Sequence, residues 1–448
     1  MTASGSSKVL LFGKDARTDA MAEGIRRSAG DFELAICSPL QIPGLVEKAD
    51  RFFVAAMTDL GAMVSVAQTV APDLVIVGPE DPLAVGLVDA LSELGIPCFG
   101  PPKDLARIET SKGWARSLLS KYGIAGNISH RAFASVDGLD DYVRQLGDVV
   151  VKPDGLTGGK GVKVMGEQLS SVEDAISYAR SLLEADGSVV IEERLDGEEF
   201  SLQTITDGSV AAHCPPVQDH KRAYTGDTGP NTGGMGSYSC ADHSLPFLSE
   251  ADLNKATEIN EAVIAAVREE TGKSYRGVLY GGFMAVADGV RVIEYNARFG
   301  DPEATNVLPL LSSDLLEVCR SVAAGELGGV TVEFARKATV CKYVVPSGYP
   351  EGKADDDLIA VDPSVTGVAG LHCYWAATDL GGDGRVRLTG SRALALVGIG
   401  DSLAEAEQLA EKGAASVSGS VRHRADIGTA DLVERRVEHM SSLRATGA

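Results

Sequence analysis

The chain has 448 residues, 44% of them hydrophobic and 23% charged, with a formal net charge of −22. That length holds several domains with cores of their own, and the composition is that of a soluble globular protein. The acidity is spread along the chain, which argues against nucleic acid or an anionic membrane as partner. Seven scattered cysteines (Cys37, Cys98, Cys214, Cys240, Cys319, Cys341, Cys373) never form CxxC. They suit reduced thiols and support neither a disulfide framework nor a zinc site. Met1–Ser7 has no signal-peptide core and no run approaches a membrane span, so a cytoplasmic protein is expected.

Short apolar strands open the chain: Lys8–Phe12, Phe32–Cys37, Asp73–Val77 and Pro97–Gly100, with a helical stretch around Thr18–Ser28. Strands alternating with helices predict a small doubly wound parallel sheet, so the fold class is α/β. Ligands bind such sheets at the carboxyl ends of strands, which selects the loops at Gly13–Asp19 and Gly78–Asp81. Glu80 is either a site carboxylate or a turn residue between two prolines. Pro101-Pro102 marks a boundary, giving an N-terminal substrate-binding domain over 1–104.

A helix is expected over Leu105–Tyr122, carrying Lys112. Val149–Val164 (VVVKPDGLTGGKGVKV) then reads as strand, glycine-rich loop, strand, the geometry of a flap over polyphosphate. Gly155, Gly158, Gly159 and Gly161 let backbone N–H groups approach phosphate oxygens, with Lys152 and Lys160 as cations. Lys160 precedes Gly161 rather than Ser or Thr, so this is not a Walker A loop. A helix follows at Ser171–Ala185, then a strand, Val189–Ile191, running into Glu192–Glu199. Such an acidic exit can offer backbone groups to a base and a carboxylate to a ribose. Glu199–Asp207 alternates as a strand and pairs with His213–Val217. Gln218–Arg222 opens a long irregular segment ending at Asp227–Ser239, whose Gly, Thr and Asn beside Lys221 and Arg222 mark an anion- or substrate-binding loop.

Ala251–Glu270 is an amphipathic helix, followed by strands Gly277–Ala287 and Val290–Tyr295 joined at Asp288-Gly289. Period-two spacing puts Glu294, Asn296 and Arg298 on one face, and a carboxylate beside an amide oxygen suits Mg²⁺ carrying nucleotide phosphates. From Thr331 the chain is β-rich again (Ala338–Val345, Gly370–Ala376, Ala393–Val397), with a last helix at Ser402–Ala415. This C-terminal α+β domain, 331–448, holds one candidate anion contact, Arg392 in Gly390-Ser391-Arg392.

Over nearly its whole length the chain resembles the ATP-grasp superfamily and, within it, the phosphoribosylamine–glycine ligase (glycinamide ribonucleotide synthetase) family. The resemblance rests on KPDGLTGGKGV, IEERLDGEE, QDHKR, DTGPNTGGMGSYS and VIEYNARFGDPE in that order, with VGPEDPL before them and SGYP after. It implies an ATP-grasp domain over 105–330 with a flap subdomain at about 122–190. It implies Lys112 and Lys152 on ATP phosphates, Gly158, Gly159, Lys160 and Gly161 closing over them, and Glu192 and Leu195 on adenine through the backbone. Glu199 is then the ribose ligand, while Glu294 and Asn296 hold Mg²⁺ (or Mn²⁺). Arg298, Asp301 and the loop Gly233, Gly234, Met235, Gly236 border an acyl-phosphate site.

The implied reaction is ATP-dependent amide formation between a small carboxylate and an amine through an acyl phosphate, as in purine biosynthesis. Lys152, Asp219, Arg298 and Asp301 are the catalytic candidates. Gly13, Arg17, Glu80, Lys221, Arg222 and Arg392 are candidate substrate contacts, with Glu80 and Asp301 able to hold the amine. For Asp219 and Arg222 a structural ion pair within the loop is the alternative. The expected partners are small molecules only, and the expected state is a monomer or small homo-oligomer.

One loop departs from the family. Where the family reads roughly G-N-G-G-R-E-H-A, this chain has Gly13-Lys14-Asp15-Ala16-Arg17-Thr18-Asp19-Ala20. Asp15 places negative charge where the resemblance would seat the aminoribosyl phosphate, unless Lys14 offsets it. Three readings therefore stay open: the glycinamide ribonucleotide reaction, the same ATP chemistry with another amine, and a non-catalytic nucleotide-binding protein.

Overall fold

The computed structural model describes residues 6–156, 161–352 and 357–446. Ser7–Phe12, Phe32–Ser38, Arg51–Val54, Leu74–Val77 and Cys98–Phe99 form a five-stranded parallel sheet. Ser7–Phe12 is central, the second and third strands lie on one side of it, and the fourth and fifth lie on the other. Val9–Phe12 and Leu74–Val77 are buried on both faces, as continuous apolar runs in a covered parallel sheet should be. The order of strand addition reverses between Ser7–Phe12 and Leu74–Val77, so the loops after Phe12 and Val77 open into one crevice. Sequence periodicity missed Arg51–Val54, a four-residue edge strand whose residues are only partly covered.

The next region is a grip of two sheets. The flap sheet runs His130–Phe133, Val189–Glu193, Val149–Pro153, Lys163–Val164, all antiparallel. Its apolar cluster, with Phe133, Val151, Ile176 and Ile191, is separate from the main core. The body sheet runs Ala211–His213, Glu198–Thr206, Gly277–Val286, Gly289–Asn296 and packs on the helix Glu250–Thr271. Val217 meets Ser201 as an isolated bridge, so the expected pairing of His213–Val217 holds at its two ends.

Four sequence expectations need correction. The helix expected over Leu105–Tyr122 is broken: Arg107–Thr110 ends at Ser111, which is extended (φ −141°) and accepts from Trp114 N as the cap of Lys112–Lys121. The hairpin turn is Ala287-Asp288, because Gly289 already pairs with Val286. The segment expected to be irregular contains the strands Thr228–Asn231 and Gly236–Ser239, and Gly236–Ser239 pairs with Ala338–Pro346. Partners a hundred residues away cannot be read from a glycine-rich stretch. Finally, Leu403–Ala415 is not the last helix; Ala430–Thr446 follows. Its buried residues are Leu432, Val433 and Met440, too thin a stripe to announce a helix.

The C-terminal sheet places Gln218–Asp219 and Gly236–Ser239 beside Ala338–Pro346, then Leu394–Gly400 and Leu371–Trp375. Residues of the grip thus complete it.

Candidate active site

A cleft of about 930 Å³ runs between flap, body, N-terminal sheet and C-terminal sheet. At its flap end Lys152, the fourth residue of Val149–Pro153, is buried, and its Nζ lies 2.6 Å from Glu192 Oε2. Arg116 Nε sits 2.7 Å from the other carboxylate oxygen. Burial pushes the Glu192 carboxyl up, but Arg116 and Lys152 outweigh it and bring it to about 2. Lys112 donates to the Gly155 carbonyl at 2.7 Å. Burial holds its ammonium below the usual range, against the pull of Glu294, so an anion in the cleft would relieve it. Gly158, Gly159 and Lys160 lie outside the described residues. Gly161 has φ +90° and its carbonyl accepts from Tyr178 Oη at 2.8 Å.

Leu195 and Glu199 line the cleft, and Glu199 is 2.9 Å from Lys221 Nζ, which lies 3.9 Å from Glu294. Glu294 and Asn296 face the cleft because the strand is bulged: Gly282 pairs with Glu294 but Phe283 with Val292, leaving Ile293 as an extra residue. Without it, alternation would put Glu294 on the side of buried Val290 and Val292; instead Tyr295 goes into the core. Burial raises the Glu294 carboxyl, but Lys221, Lys152 and Lys112 bring it below the usual range. Two hard oxygen donors fit a divalent cation that also carries phosphate oxygens. Among the described residues no three His, Cys, Asp or Glu side chains gather as a metal site.

The other end is a chain of charges. Arg17 pairs with Asp15, lies 3.4 Å from Glu80, and donates to Phe299 O at 2.6 Å. Arg298 lies 3.1 Å from Glu80 and 2.8 Å from Glu109. Burial raises the Glu80 carboxyl, but Arg298, Arg17 and Lys14 hold it far below the usual range. Asp15 also caps the helix Ala16–Arg26, accepting from Thr18 N at 3.0 Å and Thr18 Oγ1 at 2.7 Å. Its charge is therefore offset by Arg17; Lys14 pairs with Asp81 instead. Gly13 lies off the cleft wall and is needed for packing, since a Cβ there would fall 2.0 Å from Thr18 Oγ1.

Arg392 closes the far wall. Its guanidinium reaches Asp301 at 2.7 Å, the carbonyls of Gly233 and Gly234 at 2.6 and 3.0 Å, and stacks 4.5 Å over Tyr343. Tyr343 donates to Asp301 at 2.6 Å. Of the loop expected at the substrate, Gly233 lies on the cleft, Met235 is in the core, and Gly234 and Gly236 answer to packing. A Cβ on Gly236 would sit 2.2 Å from Cys341 O. Burial, and Glu303 beside it, push the Asp219 carboxyl well above the usual range. Arg222 lies on the cleft wall but pairs with Glu167, so the ion pair between Asp219 and Arg222 does not form.

Glu109, Arg116, Glu303 and His220 are among the cleft groups that had no sequence assignment. Arg116 stands four residues after Lys112, one helical turn along the same face, a spacing that could have found it. Glu303 ends the FGDPE run and accepts from Tyr280 Oη at 2.7 Å. Burial lowers His220 to about 3, so its ring is neutral.

Two antiparallel sheets gripping a lysine-lined cleft, beside a doubly wound sheet, make an ATP-grasp enzyme. Three family models match in succession: the N domain of phosphoribosylglycinamide synthetase over residues 7–109, its ATP-grasp (A) domain over 110–304 and its C domain over 339–430. The chain belongs to the phosphoribosylglycinamide synthetase family. It is 46% identical to a phosphoribosylamine–glycine ligase of Methanosarcina barkeri, covering 98% of this chain and 100% of that one. It is 47% identical to the Methanopyrus kandleri ligase of the same name, covering 98% and 99%. The Thermotoga maritima phosphoribosylamine–glycine ligase structure superposes with a TM-score of 0.77 at 26% identity, covering 94% and 99%. A biotin carboxylase of Campylobacter jejuni shares the fold at a TM-score of 0.73 and 13% identity, covering 99% and 100%.

Proposed function

We propose that the protein joins glycine to 5-phosphoribosylamine with ATP, giving glycinamide ribonucleotide, ADP and phosphate. The supporting observation is the continuity of the cleft from the Glu192–Glu199 segment, past Glu294 and Asn296, to Arg17, Glu80 and Arg298. The full-length likeness to ligases carrying that name supports the same reading.

The chemistry follows from charge. A carboxylate is a poor electrophile; taking the γ-phosphoryl of ATP makes it an acyl phosphate with a good leaving group. Lys112, Lys152 and Lys221 stand where negative charge spreads during that transfer, which is catalysis by positioning and electrostatics. Glu294 and Asn296 would hold Mg²⁺ (or Mn²⁺), which supplies positive charge against the phosphate oxygens. Arg298, Arg392 and Asp301 would border the acyl phosphate. The amine attacks only when neutral, so a carboxylate must hold it and take its proton. Asp301 and Glu80 are the candidates to hold it, and Asp219, its carboxyl pushed up by burial and by Glu303, lines the same cleft. Small-molecule partners suffice for this reaction, in the cytoplasm, by a monomer or small homo-oligomer. Among the described residues no helix is long and apolar enough to cross a membrane.

The test is ADP release with Mg-ATP and glycine, with and without freshly generated phosphoribosylamine, the amide being identified by mass. Turnover that depends on that amine supports the reading. ATP turnover that ignores it and responds to another amine favours a second reading, a ligase with a different acceptor. The observation favouring that alternative is the Asp15 carboxylate at the N-cap of Ala16–Arg26. No ATP turnover with any amine would leave a nucleotide-binding protein.

A further inference from the structure

The flap has its own apolar cluster, and the chain passes from it to the body through residues 194–197, between strands Val189–Glu193 and Glu198–Thr206. This hinge lines the nucleotide end of the cleft. Gly197 is pressed against the body, where a Cβ would fall 2.0 Å from Ala285 O. Glu198 and Glu199, neighbours in a strand, point to opposite sides. Glu199 reaches Lys221 at the cleft, while Glu198 is 5% exposed and turns to the C-terminal helix Ala430–Thr446.

That helix grips the hinge on both flanks of Gly197. His439 Nδ1 lies 2.7 Å from Glu198 Oε1, and its Nε2 lies 3.3 Å from Asp196 Oδ1. Arg436 Nε is 3.3 Å from Glu198 Oε2, and Arg436 also pairs with Asp227. Fully buried Arg424 holds Asp227 from the other side at 2.9 Å. The helix has few buried apolar residues, so these polar contacts are a large part of what seats it.

We propose that His439, assisted by Arg436, is a positioning residue of the nucleotide site. By holding Glu198 through Nδ1, with Nε2 beside Asp196, it keeps the hinge in the conformation that presents Glu199 and the Leu195 backbone to an adenosine nucleotide. The inference rests on the reading of this cleft as the nucleotide site. A hinge held ready before binding spares the nucleotide the cost of ordering it, so the effect belongs in binding rather than in chemistry.

The test uses the full chain and titrates MgADP by calorimetry, with steady-state ATP kinetics and thermal unfolding in parallel. Wild type is compared with His439→Ala, His439→Asn, Glu198→Gln and the double variant His439→Ala/Glu198→Gln. The expected result is an ADP Kd and ATP KM raised about tenfold in His439→Ala with kcat held within about twofold. His439→Asn, whose amide can donate from the Nδ1 position, should recover most of the loss. The double variant should lose less than the product of the two single losses, because both act through the shared His439–Glu198 contact. Wild-type affinity in His439→Ala overturns the proposal. So does loss of kcat and unfolding midpoint together without recovery in His439→Asn, which would mark a purely structural contact. Failure of wild type itself to bind MgADP would overturn the nucleotide reading and this proposal with it.

Discussion

Glu192 is shared between two cations, Lys152 at 2.6 Å and Arg116 at 2.7 Å, and all three side chains are buried. The carboxylate fixes Lys152 at the cleft wall without removing its charge from the cleft. Removing one member of a buried ionic cluster leaves the rest uncompensated, so Glu192→Ala should destabilise by about 3 kcal/mol. Chemical denaturation measures this; a loss below about 1 kcal/mol would mean the site relaxes around the deletion.

The same carboxyl has a pH signature. Its folded value, about 2, lies below its ordinary value of 4.5. A depressed acid contributes stability above its unfolded pKa and loses it as pH falls toward the folded one. Between pH 4.5 and 2, stability should therefore fall less steeply in Glu192→Gln than in wild type. Parallel acid limbs in the two proteins would contradict the assignment.

Glu294 is ringed by Lys221, Lys152 and Lys112, and faces the cleft only through the bulge at Ile293. Glu294→Gln keeps the shape and removes the charge. It should lower kcat about a hundredfold and raise the Mg²⁺ concentration needed for half-maximal rate. An unchanged Mg²⁺ dependence would move the metal site elsewhere.

Arg392 joins the C-terminal sheet to Asp301 and to the carbonyls of Gly233 and Gly234. A lysine carries the charge but not the planar fork, so Arg392→Lys should still lose about tenfold or more in kcat/KM. Wild-type kinetics in that variant would reduce Arg392 to a point charge.

Asp15 both caps Ala16–Arg26 and occupies Arg17. Asp15→Asn keeps a good cap while discharging the side chain. If the acceptor's phosphate lies near Arg17, KM for phosphoribosylamine should fall about threefold to tenfold with little change in unfolding midpoint. A KM that stays or rises would mean the anion sits elsewhere or the acceptor has none.

Local chemistry made much of this molecule legible in the sequence. A strand that runs into glycines and lysines, apolar runs alternating with helices, and a carboxylate two residues from an amide all act over a few residues. Each carries its own physical reason, and together they sufficed for four of the five strands of the parallel sheet, the flap strands and the lysines of the cleft. Four things were decided only in three dimensions. The bulge at Ile293 comes from mismatch between two strands, so period-two counting placed Glu294 with Asn296 but not on the cleft side. Lys14 meets Asp81 rather than Asp15, and Arg298 meets Glu80 and Glu109, because pairing depends on backbones converging from positions up to 218 residues apart. Gly234 and Gly236 answer to close packing against Pro302, Asp219 and Cys341, which a glycine-rich string does not reveal. The Ala430–Thr446 helix is seated largely by charged contacts with a distant strand and loop, so it lacks the apolar stripe by which a helix shows itself in sequence. Short-range order is written in neighbouring residues; the partners of charges and the facing of a bulged strand depend on segments that meet only when the chain has folded.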